Sequence, residues 1–218
     1  MNIYNQLDIT VDVYHLGPLR TNVGLVVRQG EGIVIDAPPE SSEAIFSIAM
    51  ERKIQLKALL ITHYHWDHIG NASIFRERGL EVYAYALDVP FIEHVERAEP
   101  LLSADFPIES CKVDHVLNDG ARFEVCELSV QTLWISGHTE GGAAYYFKDI
   151  GICFVGDTLF SGTVGRSDFP GGNKHALFKN IREKLYALSD ETQVIPGHGW
   201  LTTIGKEKNE NPYVRPRK

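Results

Sequence analysis

Sulfur and positive charge are both scarce in this chain. Its three cysteines, Cys111, Cys126 and Cys153, are widely spaced and form no C-x-x-C pair, so neither a disulfide framework nor a thiolate zinc cluster is expected. Lysine and arginine number 21 against 29 aspartates and glutamates, a formal net charge of −8. Nucleic acid, which needs a basic footprint, is therefore not the expected partner. No apolar run approaches the roughly 18 residues that span a membrane. The start, "MNIYNQLDIT", has neither the basic nor the apolar region of a signal peptide. Low-complexity tracts, exact repeats and a G-x-S-x-G nucleophile elbow are all missing. These absences point to a cytoplasmic protein whose cysteines serve as small apolar residues. What remains is ordinary globular composition, 44% hydrophobic and 23% charged over 218 residues, and one domain over residues 1–218 is expected.

The runs "ITVDVYHL", "NVGLVVRQ" and "GIVIDA" are rich in β-branched residues and separated by turn signals such as "QGEG", which reads as strands. "SSEAIFSIAMERK" has helical apolar spacing behind Ser/Glu start signals. "KALLIT" reads as a strand covered on both faces, followed by a helix from about Asp67 to Arg78 and the strand "EVYAYA". The proline-containing segment "LDVPFIEHVERAEPLLSADFPIES" breaks the rhythm and reads as a partly helical excursion above the sheet. After "NDG", a hairpin-turn signal, come "RFEV", "LSVQTLWI", "AAYYFKD" and "GICFVGD" as strands, the amphipathic helix "KHALFKNIREKLYAL", and a final strand "TQVI". Two similar halves result, which two face-to-face sheets with helices outside would satisfy.

Ligand chemistry gathers at the strand ends. "HYHWDH" follows "KALLIT", "GHTEGG" follows "QTLWIS", "GDT" follows "GICFV" and "PGHG" follows "TQVI". Loops on a rigid platform are where sites are built. His63 and His65 lie two apart in an extended loop, so both can face one ion. Asp67 and His68 follow where the chain turns helical, and they aim at a second position beside the first. If His138 completes the first ion, His198 the second, and Asp157 bridges them, each ion keeps an open position. Imidazole with carboxylate suits zinc, with iron or manganese as alternatives. Closed structural sites favour cysteine, and this set has none, so two divalent ions in a catalytic centre are expected.

"THYHWDH", "GHTEGG", "GDTLFSGTVGRSDFPGG" and "IPGHG", in this order, resemble the metallo-β-lactamase superfamily, and within it the single-domain glyoxalase II-like (hydroxyacylglutathione hydrolase-like) proteins. The resemblance covers about residues 10–210. It implies an α+β fold, a four-layer αββα sandwich with the metal site at one edge of two sheets. It also implies His63, His65 and His138 on the first metal, Asp67, His68 and His198 on the second, and Asp157 as the bridge. Two departures stand out. The serine often found after "GHT" is absent from Glu140-Gly141-Gly142-Ala143, and the C-terminal helical domain that binds glutathione in the longer enzymes is expected to be missing.

Thioester hydrolysis fits these parts. A metal-held hydroxide attacks the acyl carbon, and a thiolate of pKa about 8.5 leaves without a strong general acid. Asp67 is expected to orient the hydroxide through its free oxygen while binding the second ion. The substrate expected is a small thioester such as S-D-lactoylglutathione. Arg166 and Lys174, in the loop after Asp157, are candidates to attract an anionic substrate, with an Arg166–Asp168 brace as the alternative. Asp36, closing "GIVIDA", is a candidate to hold a ligand histidine from behind. The rival within the fold is a persulfide dioxygenase with one iron on residues matching His63, His138 and Asp157. A lactonase or β-lactamase is a weaker rival, and a non-catalytic metal-binding protein is disfavoured because no ligand position is lost.

Overall fold

The computed structural model describes residues 1–6, 8–98 and 105–215. The first seven strands run Asn2–Gln6 (β1), Ile9–Leu16 (β2), Thr21–Arg28 (β3), Glu31–Ile35 (β4), Gln55–Leu60 (β5), Glu81–Tyr85 (β6) and His115–Leu117 (β7). They form one sheet in sequence order, antiparallel through β4 and parallel from β4 to β7. The second sheet contains Arg122–Val125 (β8), Leu128–Trp134 (β9), Ala143–Phe147 (β10) and Ile152–Gly156 (β11). A two-strand ribbon, Leu159–Phe160 (β12) with Thr163–Val164 (β13), interrupts it before Gln193–Pro196 (β14) and Thr202–Thr203 (β15) complete the order β15-β14-β11-β10-β9-β8.

Three apolar clusters account for the layering. Val11, Val26, Ile33 and Leu60 of the first sheet meet Val130, Tyr145, Phe154 and Ile195 of the second in the central core. Strand residues that alternate with these, among them Leu25, Val34 and Leu59, face outward. They pack beneath the helices Ser41–Glu51 (α1), Trp66–Ile69 (α2), Ala72–Glu77 (α3) and Val89–Ile92 (α4), through Ile45, Ile69, Phe75 and Ile92. The helices Lys174–Asn180 (α5) and Ile204–Glu210 (α6) cover the other sheet through Leu177 and Ile204. The result is the αββα sandwich expected from the sequence. None of the helices among the described residues is long and apolar enough to cross a membrane.

Three local readings need correction. The helix expected over residues 67–78 is two short helices, because Gly70 passes so close to Pro39 that a Cβ there would meet the ring at 2.4 Å. Asn71 N–H then bonds to the Ala37 carbonyl and not back into the first helix. "NDG" makes a turn, with Ala121 N–H on the Asn118 carbonyl and Gly120 at φ +75°, yet β7 and β8 belong to different sheets. It is a crossing between layers, and no hairpin forms. The helix read from "KHALFKNIREKLYAL" passes into a π-helix over Ile181–Leu185 after α5. Of the proline-containing excursion, residues 89–98 carry α4 and a 3-10 turn over Val95–Ala98, while residues 99–104 lie outside the described residues.

Candidate metal centre

Five chain segments deliver polar side chains to one edge of the two sheets: the loops after β4, β5, β9, β11 and β14. They bring Asp36, then His63 to His68, His138, Asp157 and His198. The strand residues next to these loops are buried or half-buried, so the loops leave from fixed points. His65 Nδ1 lies 2.9 Å from His138 Nε2, and His68 Nε2 lies 3.3 Å from His198 Nε2. Asp157 stands between the two pairs, with Oδ1 3.6 Å from His68 Nε2 and Oδ2 3.7 Å and 3.6 Å from the Nε2 atoms of His138 and His198. Asp67 Oδ2 is 3.0 Å from His198 Nε2. All seven residues named from the sequence therefore converge. They form overlapping triplets able to hold a cation: His63, His65 and His138; His63, His68 and Asp157; Asp67, His68 and His198.

The hydrogen-bond pattern tests whether metal ions fit. His138 Nδ1–H donates to the Arg166 carbonyl at 2.7 Å and His198 Nδ1–H to the Leu19 carbonyl at 3.2 Å. A carbonyl only accepts, so each Nε2 carries a lone pair. His68 Nδ1 meets the Asp36 carboxylate at 2.8 Å, and its Nε2 faces that of His198. His63 Nε2 and Asp157 Oδ1 are buried without any hydrogen-bond partner. Orphaned buried polar atoms cost about 1–3 kcal/mol each, so the arrangement calls for cations beside them. The donor set of imidazole and carboxylate suits zinc, iron or manganese. His63, His65, Asp67, His68 and His138 are buried, whereas Asp157 and His198 are half-buried, leaving one side open to a substrate.

The electrostatics point the same way. Burial opposes charge on His68, yet the carboxylates of Asp36, Asp67 and Asp157 raise its pKa to about 10. Burial and the neighbouring imidazoles push His63 well below its ordinary value and His65 down to about 3. Burial would raise Asp67, but His68 and His198 hold it well below the usual carboxylate range. Three carboxylates thus converge on one end of the cluster, while neutral imidazoles line the other.

Asp36 stands behind His68, on the side away from the cluster. Its Oδ2 accepts from His68 and from Thr62 Oγ1, and Oδ1 from Thr62 N–H. Its backbone sits at φ +61°, a strained region for a non-glycine residue that recurs at functional sites. Asp88, which sequence reasoning passed over, lies fully within the protein at the end of the first sheet. One oxygen accepts from Gly141 N–H; the other accepts from Tyr64 N–H and Thr139 Oγ1. It ties the loop carrying His63 and His65 to the loop carrying His138. Burial pushes its carboxyl up to about 7 despite these donors. Its one sequence signal was an acid opening a helix before proline. Asn22 was also missed: its amide donates to the carbonyls of Pro196 and Gly199, gripping the His198 loop.

Arg166 and Lys174 are placed differently from the other candidates. Arg166 makes two hydrogen bonds to Asp168, at 3.0 and 2.8 Å, and its guanidinium lies 4.1 Å over the Phe169 ring. Phe169 packs edge-on against His65 and His138, so Arg166 braces the loop, and its carbonyl orients His138. Lys174 opens α5 with its ammonium over Phe178, a residue of the outer core beneath the second sheet.

Known proteins resemble this chain over most of its length. Hydroxyacylglutathione hydrolase GloC from Haemophilus influenzae is 30% identical over 214 residues, covering 94% of this chain and 98% of that protein. The crystal structure of BLEG-1 B3 metallo-β-lactamase superposes with a TM-score of 0.87 at 29% identity, over 94% of this chain and 99% of the other. TTHA1623, solved in a di-iron-bound form, gives 0.82 at 34% identity over 93% and 99%. ETHE1 from Myxococcus xanthus gives 0.74 at 26% over 98% and 83%. Residues 16–198 match the metallo-β-lactamase superfamily as a whole, a stretch that holds Asp36 and every one of the seven converging residues, and the chain belongs to that superfamily.

Proposed function

We propose that this chain is a dinuclear metallo-hydrolase of small thioesters, S-D-lactoylglutathione among them. The observation that carries the reading is the pair of facing imidazole sets with Asp157 between them. In this reading His63, His65 and His138 hold one ion, Asp67, His68 and His198 hold the other, and Asp157 reaches both. Divalent ions held there would polarise a carbonyl oxygen and make water nucleophilic at neutral pH. The likeness to a hydroxyacylglutathione hydrolase over most of both chains supports this choice of substrate.

The chain's own residues supply orientation. Asp67 stays anionic under the pull of His68 and His198, so at neutral pH it accepts a hydrogen bond and does not act as an acid. One of its oxygens lies against His198, and the other is free to accept from the attacking water and align it. The Arg166 and Leu19 carbonyls fix the tautomers of His138 and His198. A thiolate of pKa about 8.5 departs without proton donation, which matches a site whose buried acid, Asp67, is held ionised.

A second reading is a persulfide dioxygenase with a single iron on His63, His138 and Asp157. It draws on the approach of Asp157 to His138, at 3.7 Å, and on the likeness to ETHE1. Hydrolysis of S-D-lactoylglutathione and oxygen uptake with glutathione persulfide, run side by side, separate the two. Thioester cleavage without oxygen uptake supports the hydrolase. Rapid oxygen uptake with negligible cleavage replaces it with the dioxygenase.

A further inference from the structure

Beside the metal ligands lies a cavity of about 110 Å³, walled by Tyr64, Phe91, Pro170 and Gly171 and carrying Arg97 and Glu140. Tyr64 sits between His63 and His65, and Glu140 lies two residues past His138, so the cavity adjoins the centre by chain connectivity. Tyr64 and Phe91 stack at 4.5 Å, which makes one wall rigid and apolar. Glu140 also borders a second, larger cavity of about 440 Å³ that reaches Trp134, Gly137 and Asn173. The two spaces share Glu140 and Gly171 as lining residues.

Arg97 and Glu140 are opposite charges on one small cavity that do not pair with each other. Among the described residues, neither the Arg97 guanidinium nor the Glu140 carboxylate makes a hydrogen bond or ion pair. The Glu140 charge is felt inside the protein, where it raises Asp88 and Tyr64 after the larger effect of their burial. A water's share of liquid volume is about 30 Å³, so the cavity holds a group of a few heavy atoms. An isolated anion or cation would meet one favourable and one unfavourable charge. A group carrying both signs a few bonds apart would meet two favourable ones.

We propose that this cavity is a subsite for an α-amino-acid zwitterion on the substrate, with its ammonium toward Glu140 and its carboxylate toward Arg97. The proposal rests on the thioesterase reading and names the part of the substrate remote from the reacting bond, such as the γ-glutamyl end of a glutathione thioester. Binding a remote group supplies positioning at the reacting centre. Glu140 then becomes a specificity determinant.

The test compares S-D-lactoylglutathione with its N-acetyl and its γ-glutamyl α-carboxamide derivatives on wild-type protein, Glu140→Gln and Arg97→Gln. Loss of one charge-assisted contact should raise KM about tenfold. Wild type should lose about that factor with either derivative. Glu140→Gln should become indifferent to N-acetylation, and Arg97→Gln indifferent to amidation, the non-additivity expected of a direct pair. Equal KM values for the three substrates, or unchanged discrimination in the variants, would overturn the subsite. Calorimetric binding of S-methylglutathione and its N-acetyl derivative to metal-loaded protein decides the matter without catalysis. If no thioester is cleaved, the hydrolase reading fails, yet weaker binding of the acetylated ligand still supports the subsite. Equal binding, or none by either ligand, refutes it.

Discussion

Asp36 and Asp88 show how much of a candidate metal centre is carried by residues outside the seven that converge on it. Asp36 spends three hydrogen bonds on Thr62 and His68 from a strained backbone. Partners of this kind fix the ligand's tautomer, and their loss typically costs about 10–100-fold in metal affinity. Asp36→Asn is expected to weaken one of two metal equivalents by that factor, read by chelator competition, while the other equivalent persists. Asp88 accepts from donors on both ligand loops, two of them backbone N–H groups. In Asp88→Asn one side of the carboxamide becomes a donor, so either Gly141 N–H or Tyr64 N–H loses its acceptor. An unsatisfied buried donor costs about 1–3 kcal/mol, a fall in Tm of about 2–12 °C for a domain of this size. Thermal melts of the metal-loaded variants check this, and an unchanged Tm would mean that the loops do not depend on Asp88. The seven converging residues were legible because histidine and aspartate at strand ends are locally distinctive. Asp88 and Asn22 were not, because their roles lie in partners 24 to 177 positions away.

At the scale of elements, the loops can meet only where side chains are absent. A Cβ at Gly197 would lie 2.1 Å from Asp157 Oδ1 and 2.7 Å from His68 Cε1. The loop after β14 must run against the one after β11, which itself follows a parallel pairing of those two strands. Gly197→Ala is therefore expected to displace Asp157, costing about 1–3 kcal/mol of overpacking. It should also lower metal content below one equivalent while far-UV circular dichroism stays that of the folded chain. Full metal occupancy in this variant would show that Asp157 has room to move. The strands and the order of the two halves could be read from alternation and β-branched runs. The break between α2 and α3 could not, because it depends on Pro39 lying over Gly70. The "NDG" turn misled for a similar reason: local turn chemistry fixes a reversal but does not say whether the next strand joins the same sheet.

On the scale of the whole molecule, the centre joins the two sheets. Asp36, His63, His65, Asp67 and His68 come from loops of the first, and His138, Asp157 and His198 from loops of the second. Ions held between them would act as a clasp across the sandwich, so binding stabilises the native state in proportion to affinity, by about 2.7 kcal/mol at a hundredfold excess over Kd. The measurement that bears most directly on the central claim is metal content per chain in protein purified without added metal, taken for wild type and for Asp157→Ala. Two divalent ions per wild-type chain are expected, with chelation lowering Tm and re-addition restoring it, and with Asp157→Ala losing metal and thioesterase activity together. A single iron per wild-type chain, or a chelated protein that keeps full activity and an unchanged Tm, would contradict the dinuclear account.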